Sequence, residues 1–165
     1  IKRNGVELPP FMLGGGQEKN CRAGTHNTAG IAGMGLAAEL ALKNMAQYGE
    51  IQKLRDDMEA EIRALTNQIT IYGGDAPRVG NTTNVGYPPV PAQTQMMALD
   101  LDKISVSSGS ACSSGAFKAS HVLTAMGASD EEAKSALRIS LGWATTKSDI
   151  DRFLESYKKI IQRTL

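Results

Sequence analysis

Apolar residues recur at helical spacing in two long stretches of this chain, with shorter alternating runs between them. Ile31, Met34, Leu36, Ala37, Leu40, Ala41 and Met45 cover most of the circumference of a helix that starts at Asn27, a good capping residue, and runs to about Ala46. Coverage of that kind predicts a helix buried on most sides. Gly30, Gly33 and Gly35 lower its propensity but permit close approach of a neighbour. Gly49 predicts a kink. Beyond it Ile51, Leu54, Met58, Ile62 and Leu65 form one stripe, with Asp56, Asp57, Glu59 and Glu61 read as its solvated face. At the far end Ile150, Phe153, Leu154, Tyr157, Ile160 and Ile161 make the apolar face of a last helix, capped by Thr146.

Between these stretches the period shortens. Residues 6–13 form an extended piece broken by Pro9-Pro10, and 69–73 and 81–87 read as strands. Pro91 opens a helix through Leu99, with 104–107 as a short strand after it. Short helices follow at 121–126 and 130–135, the second capped by Ser129, and 137–141 is a strand. Strands and helices mix without strict alternation, which predicts an α/β two-layer sandwich: a small mixed or antiparallel sheet with helices on it.

Composition narrows the partners. At 165 residues the chain makes one domain, or one small domain with part of another. Hydrophobic content of 41% and charged content of 21% are those of a soluble globular protein. A net charge of +1 gives no reason to expect nucleic acid or an anionic membrane as partner. No apolar run reaches bilayer-spanning length, and no signal peptide stands at the start. Cys21 and Cys112 do not resemble a disulfide framework, so the cytoplasm is the expected compartment. The chain opens on Ile1-Lys2-Arg3 without an initiator methionine, as though inside a strand; the expectation is a fragment.

Three places could carry chemistry. The first is Ser107-Ser108-Gly109-Ser110-Ala111-Cys112-Ser113-Ser114-Gly115, a cysteine among Ser, Gly and Ala alone. Such a segment has little side chain to bury, so its thiol is accessible; the bland alternative is a linker with an incidental cysteine. The second is Gly14-Gly15-Gly16-Gln17-Glu18 followed by Arg22-Ala23-Gly24-Thr25-His26-Asn27, ahead of the first long helix. Unpaired N–H groups and the Thr25 hydroxyl would suit a phosphate there, unless Thr25 or Asn27 merely caps the helix. The third is Arg138, which strand alternation puts on one face with Ser140, opposite Leu137, Ile139 and Leu141. A guanidinium on a rigid strand can grip a carboxylate through two hydrogen bonds, or it can be an ordinary surface arginine. His26 and His121 lack zinc spacing, His121 is expected to cap or pack a helix, and Cys21 has no motif around it.

Taken in order, Gly-Gly-Gly-Gln-Glu, Arg-x-Gly-Thr, Asn81-Thr82-Thr83-Asn84-Val85, the Ser-Ser-Gly-Ser-Ala-Cys-Ser-Ser-Gly segment, Ser120-His121-Val122-Leu123 and Arg138-Ile139-Ser140-Leu141-Gly142 resemble the cysteine desulfurases. These are pyridoxal 5'-phosphate enzymes of the class V aminotransferase group. The cysteine segment is similar to the branch that serves iron–sulfur cluster assembly. The resemblance implies that Cys112 attacks the sulfur of cofactor-bound L-cysteine to give a persulfide and alanine, and that Arg138 holds the substrate carboxylate. It implies that the Thr25 hydroxyl reaches the cofactor phosphate of the neighbouring subunit in a homodimer. An iron–sulfur scaffold or other acceptor protein would take the sulfur, in the cytoplasm.

Under this resemblance the chain is the C-terminal portion of a fold-type I enzyme. Residues 1–30 are the last elements of the large cofactor domain, 31–49 the connecting helix and 50–165 the small domain. The family's Schiff-base lysine, in Ser-x-His-Lys-x-x-Gly-Pro, has no counterpart here and would fall just before Ile1, so the fragment alone is expected to be inactive. His26 stands where the family often has Glu, and Ala119 where it often has Pro. The rival readings are a selenocysteine lyase-type class V enzyme and a non-enzymatic sulfur-transfer interaction domain.

Overall fold

In the computed structural model residues 5–7, 9–108 and 119–164 are described, and they fall into two compact units that divide between Asn44 and Met45. The first unit holds α1 (Gln17–Asn20) and α2 (Thr28–Lys43). No element is expected from the sequence at α1. It is one irregular turn in which Glu18, Lys19 and Asn20 take left-handed φ of 51°, 54° and 63° in succession, a conformation that L-residues with side chains resist. Asn27 caps α2, its Oδ1 accepting from the Gly30 N–H at 3.1 Å.

The expected burial of α2 is not found. Every one of its residues is exposed, Met34 to 75% and Leu42 to 76%. Its apolar circumference needs neighbours on all sides, and none of the described residues supplies them. The break between the helices also moves. It lies at Asn44, with α3 (Met45–Leu65) already running through Gly49. A single glycine costs a helix about 1 kcal/mol, which one well-packed face across 21 residues readily offsets.

The second unit is built on a four-stranded sheet of β1 (Thr70–Ile71), β2 (Thr82–Gly86), β3 (Ser107–Ser108) and β4 (Leu137–Ser140), ordered β1-β2-β4-β3 and antiparallel throughout. Between them lie α4 (Ala92–Leu101), α5 (His121–Ala125) and α6 (Asp130–Ser135), and α7 (Lys147–Gln162) ends the chain. The α/β two-layer sandwich expected from the pattern is present. Ile104, Ser105 and Val106 are not strand; pairing begins at Ser107, the first residue of the cysteine-bearing segment.

The core follows the apolar stripes. Met58 and Ile62 of α3, Leu99 of α4 and Tyr157 and Ile161 of α7 close over Val85, Leu137 and Ile139 of the sheet. The Phe153 and Tyr157 rings stack at 5.4 Å, a contact that adds specificity to the area they bury. Buried Gln95 of α4 donates to the carbonyls of Val90 at 2.6 Å and Ser135 at 2.9 Å, tying α4 to the end of α6. Both short-range caps are as read: Ser129 and Thr146 each form a reciprocal capping box, with Glu132 and Asp149.

Glu59 departs from the reading of its neighbours. It is 6% exposed, and Arg78 grips both its carboxylate oxygens at 2.8 and 2.6 Å while also donating to the Thr82 carbonyl at 3.1 Å. Arg55, equally buried, lies 3.7 Å from the same carboxylate. Burial, the largest single influence, pushes the Glu59 carboxyl up, but the hydrogen bonds and charge of Arg78, with Thr83 and the Arg55 charge, together hold the group below its ordinary value. This pair pins α3 to the start of β2.

Candidate active site

The alternation of β4 sends Leu137 and Ile139 into the core and leaves Arg138 and Ser140 on the opposite face, as the sequence predicts. Because β4 lies between β2 and β3, Arg138 has a strand neighbour on each side: Asn84 across one edge and Ser107 across the other. The Asn84 carbonyl accepts from the Tyr72 N–H at 3.0 Å, so the main chain of Asn84 is turned toward β1. Asn84 and Arg138 are therefore a non-hydrogen-bonded pair, the closer kind, with Cα atoms about 4.5 Å apart. Thr82 and Ser140 sit next along the same face, their hydroxyls 3.4 Å apart.

At its other end this face is closed. Tyr72 packs beside a small cluster of Leu123 of α5, Ala133 of α6 and Ala136 just after it, and its ring lies over Gly86. A Cβ at Gly86 would stand 2.8 Å from Tyr72 Cε2, so only glycine admits the ring there. The tyrosine hydroxyl is pushed up by burial and by the Glu132 carboxylate. Arg138, by contrast, is exposed, and among the described residues its side chain makes no ion pair or hydrogen bond. A rigidly mounted guanidinium with its donors free is suited to a planar carboxylate.

Cys112 lies outside the described residues. The residues flanking its segment are fixed: Ser107 is paired to Arg138 and Ser108 to Leu137, while Ser120 beyond it caps α5 by accepting from the Leu123 N–H at 3.4 Å. Ser120 thus does the capping expected of His121, which is exposed. Cys21 is half-buried, with its Sγ 3.7 Å from the Lys19 carbonyl.

Thr25 belongs to the first unit. It is exposed and does not cap α2, since Asn27 does so; its hydroxyl has no partner among the described residues, and its carbonyl accepts from Arg22 Nη1 at 3.2 Å. Gly24, with φ at +101°, turns the chain into this position and donates its N–H to Gln17 Oε1 at 3.3 Å. Glu18 draws Arg22 and His26 together, at 3.8 and 3.6 Å. An unengaged hydroxyl one turn ahead of a long helix, beside Arg22, fits the phosphate end of pyridoxal phosphate. The aldehyde end has no lysine from a Ser-x-His-Lys segment in this sequence. Among the described residues no cluster of His, Cys, Asp or Glu could hold a metal ion, and no helix is long and apolar enough to cross a membrane.

Sequence reasoning singled out Arg138 but gave Asn84 no role beyond its motif. The signal was available, since half-buried Thr82 and Asn84 alternate with buried Thr83 and Val85; what was missing was the register that sets 84 against 138.

Residues 3–153 match the family described as Aminotransferase class-V. The chain is 38% identical over 162 residues to a protein from Dictyoglomus turgidum named "Cysteine desulfurase IscS", covering 98% of this chain and 41% of that one. Its fold superposes on the crystal structure of a NifS-like protein from Rickettsia africae with a TM-score of 0.83 at 39% identity, over 95% of this chain and 41% of the other. A structure described as SspA in complex with cysteine matches with a TM-score of 0.58 at 30% identity, over 83% and 36% of the two chains. The chain thus spans about 41% of the length of these curated relatives. With a family match running over residues 3–153, almost end to end, the chain belongs to the class V aminotransferase family.

Proposed function

We propose that this chain is the C-terminal portion of a pyridoxal-phosphate-dependent cysteine desulfurase, which takes sulfur from L-cysteine and leaves L-alanine. Residues 1–30 complete the cofactor domain, 31–49 form the connecting helix and 50–165 the small domain. One observation carries the reading: Arg138, exposed and unpaired among the described residues, is strand-paired to Ser107, five residues before Cys112. Five peptide units from Ser107 to Cys112 span at most about 18 Å, so the carboxylate clamp and the thiol are covalently confined to one neighbourhood. The names of the relatives, and the cysteine in the SspA structure, agree with that pairing of groups.

Arg138 takes the carboxylate of L-cysteine in a two-bond fork and so fixes the substrate's orientation. The Thr25 hydroxyl donates to the cofactor phosphate across a homodimer. Pyridoxal phosphate, when bound, supplies the electron sink that makes the substrate's C–S bond breakable. The Cys112 thiolate then attacks the substrate sulfur. A bond forms between the two sulfurs, the C–S bond breaks, and its electron pair stays on the substrate carbon, which takes a proton to become the methyl group of alanine. Cys112 is left as a persulfide for an iron–sulfur scaffold or other acceptor protein, in the cytoplasm.

Incubating the full-length, cofactor-loaded protein with L-cysteine and a thiol reductant tests this. Alanine and sulfide should appear in equal amounts. Turnover of cysteine to pyruvate or to a transaminated keto acid instead would overturn the reading.

A further inference from the structure

On the face that carries Arg138, Thr82 and Ser140 satisfy one another, but Asn84 does not share in this. Its Oδ1 is closed off from solvent and accepts no hydrogen bond among the described residues. Acceptors taken out of water without a donor are uncommon and costly, and each calls for an explanation. Directly across the closer kind of antiparallel pairing stands Arg138, with five N–H donors and none engaged among the described residues. A two-bond grip on a carboxylate uses two of those hydrogens, leaving others for a second acceptor.

We propose that Asn84 is a positioning residue for Arg138. Its Oδ1 accepts an N–H of the guanidinium and so sets the plane in which the remaining fork meets the substrate carboxylate. This rests on the desulfurase reading and adds a specificity element to it. The amide is neutral, so it orients the guanidinium without neutralising it; a carboxylate at the same place would compete with the substrate. The lone acceptor of Asn84 is left open until the guanidinium settles on substrate, which couples its satisfaction to carboxylate binding.

The test uses the full-length, cofactor-loaded protein and four variants: Asn84→Ala, Asn84→Asp, Arg138→Lys and the double variant Asn84→Ala with Arg138→Lys. Loss of a hydrogen bond to a charged group should raise KM for L-cysteine about tenfold in Asn84→Ala, with kcat held within twofold. The isosteric Asn84→Asp keeps the shape of the strand and should raise KM at least as much. The double variant should be no worse than Arg138→Lys alone, because the amide acts only through the guanidinium. With cysteamine, which has no carboxylate, Asn84→Ala and the parent should show the same KM. Additive losses in the double variant, equal losses with cysteamine, or an unchanged KM for cysteine would each overturn the proposal. If Arg138→Lys itself leaves KM for cysteine unchanged, the carboxylate clamp fails and the role of Asn84 falls with it.

Discussion

Arg138 shows how a single residue divides function from stability. It points away from the core and makes no ion pair among the described residues, so replacing it should leave folding nearly untouched. Arg138→Lys keeps the charge but loses the planar fork. Losing charge-assisted bonds of this kind costs about 1.5–3 kcal/mol, so kcat/KM for cysteine should fall about ten- to a hundredfold while Tm stays within a degree or two. A surface arginine would tolerate the change in both measurements. Glu59 is the opposite case. Its folded-state carboxyl sits below the ordinary value because Arg78, Thr83 and Arg55 together outweigh burial, so the folded protein holds fewer protons than the unfolded chain as pH drops through the carboxylate range. The stabilisation is fully present above the ordinary glutamate value and is lost as pH falls through the folded one. Glu59→Gln should cost about 3 kcal/mol at neutral pH and progressively less in acid, read as converging urea midpoints of variant and parent. Parallel curves would place the acid sensitivity elsewhere. None of this is visible in the sequence around Glu59, where charged residues fill the gaps of an apolar stripe. Its partner lies 19 residues away, beyond the end of α3 and β1.

At the scale of elements, the periodic and capping signals carry most of the information. The stripe of α7 and the Ser129 and Thr146 caps appear where the pattern puts them, because each depends on residues within one or two turns. Ser129→Ala or Thr146→Ala should each cost about 1 kcal/mol, seen as a Tm lower by a few degrees. Thr25→Ala should cost nothing of the kind, since Asn27 holds the start of α2. Its effect should be on retention of pyridoxal phosphate, measured by dialysis of the full-length protein. If Thr25→Ala lowers Tm as much as Asn27→Ala, Thr25 is structural after all. The irregular turn at Glu18, Lys19 and Asn20 is not legible, because three successive left-handed residues run against local preference. The strand at 107–108 is likewise set by pairing with β4, not by the apolar residues before it.

Across the whole chain, the pattern of α2 states a need without showing what meets it. Ile31, Met34, Leu36, Leu40 and Leu42 are all exposed, and a contiguous apolar surface of this kind drives association. Expressed as these 165 residues, the protein should self-associate, and Met34→Lys with Leu42→Lys should reduce that in light scattering. Purified alone, it should also be colourless, since the sequence contains no Ser-x-His-Lys segment. Architecture was legible because the second unit, from Met45 onward, buries its own stripes. The placement of Arg138 was legible because alternation along β4 turns it away from the core, whereas Cys112 lies outside the described residues. The measurement that bears most directly on the account is where sulfur lands. After exposure of the full-length, cofactor-loaded protein to L-cysteine, peptide mass analysis under non-reducing conditions should find one added sulfur atom on Cys112 and none on Cys21, and Cys112→Ala should abolish it. Added sulfur on Cys21 instead, or alanine formed at a normal rate by Cys112→Ala, would contradict it.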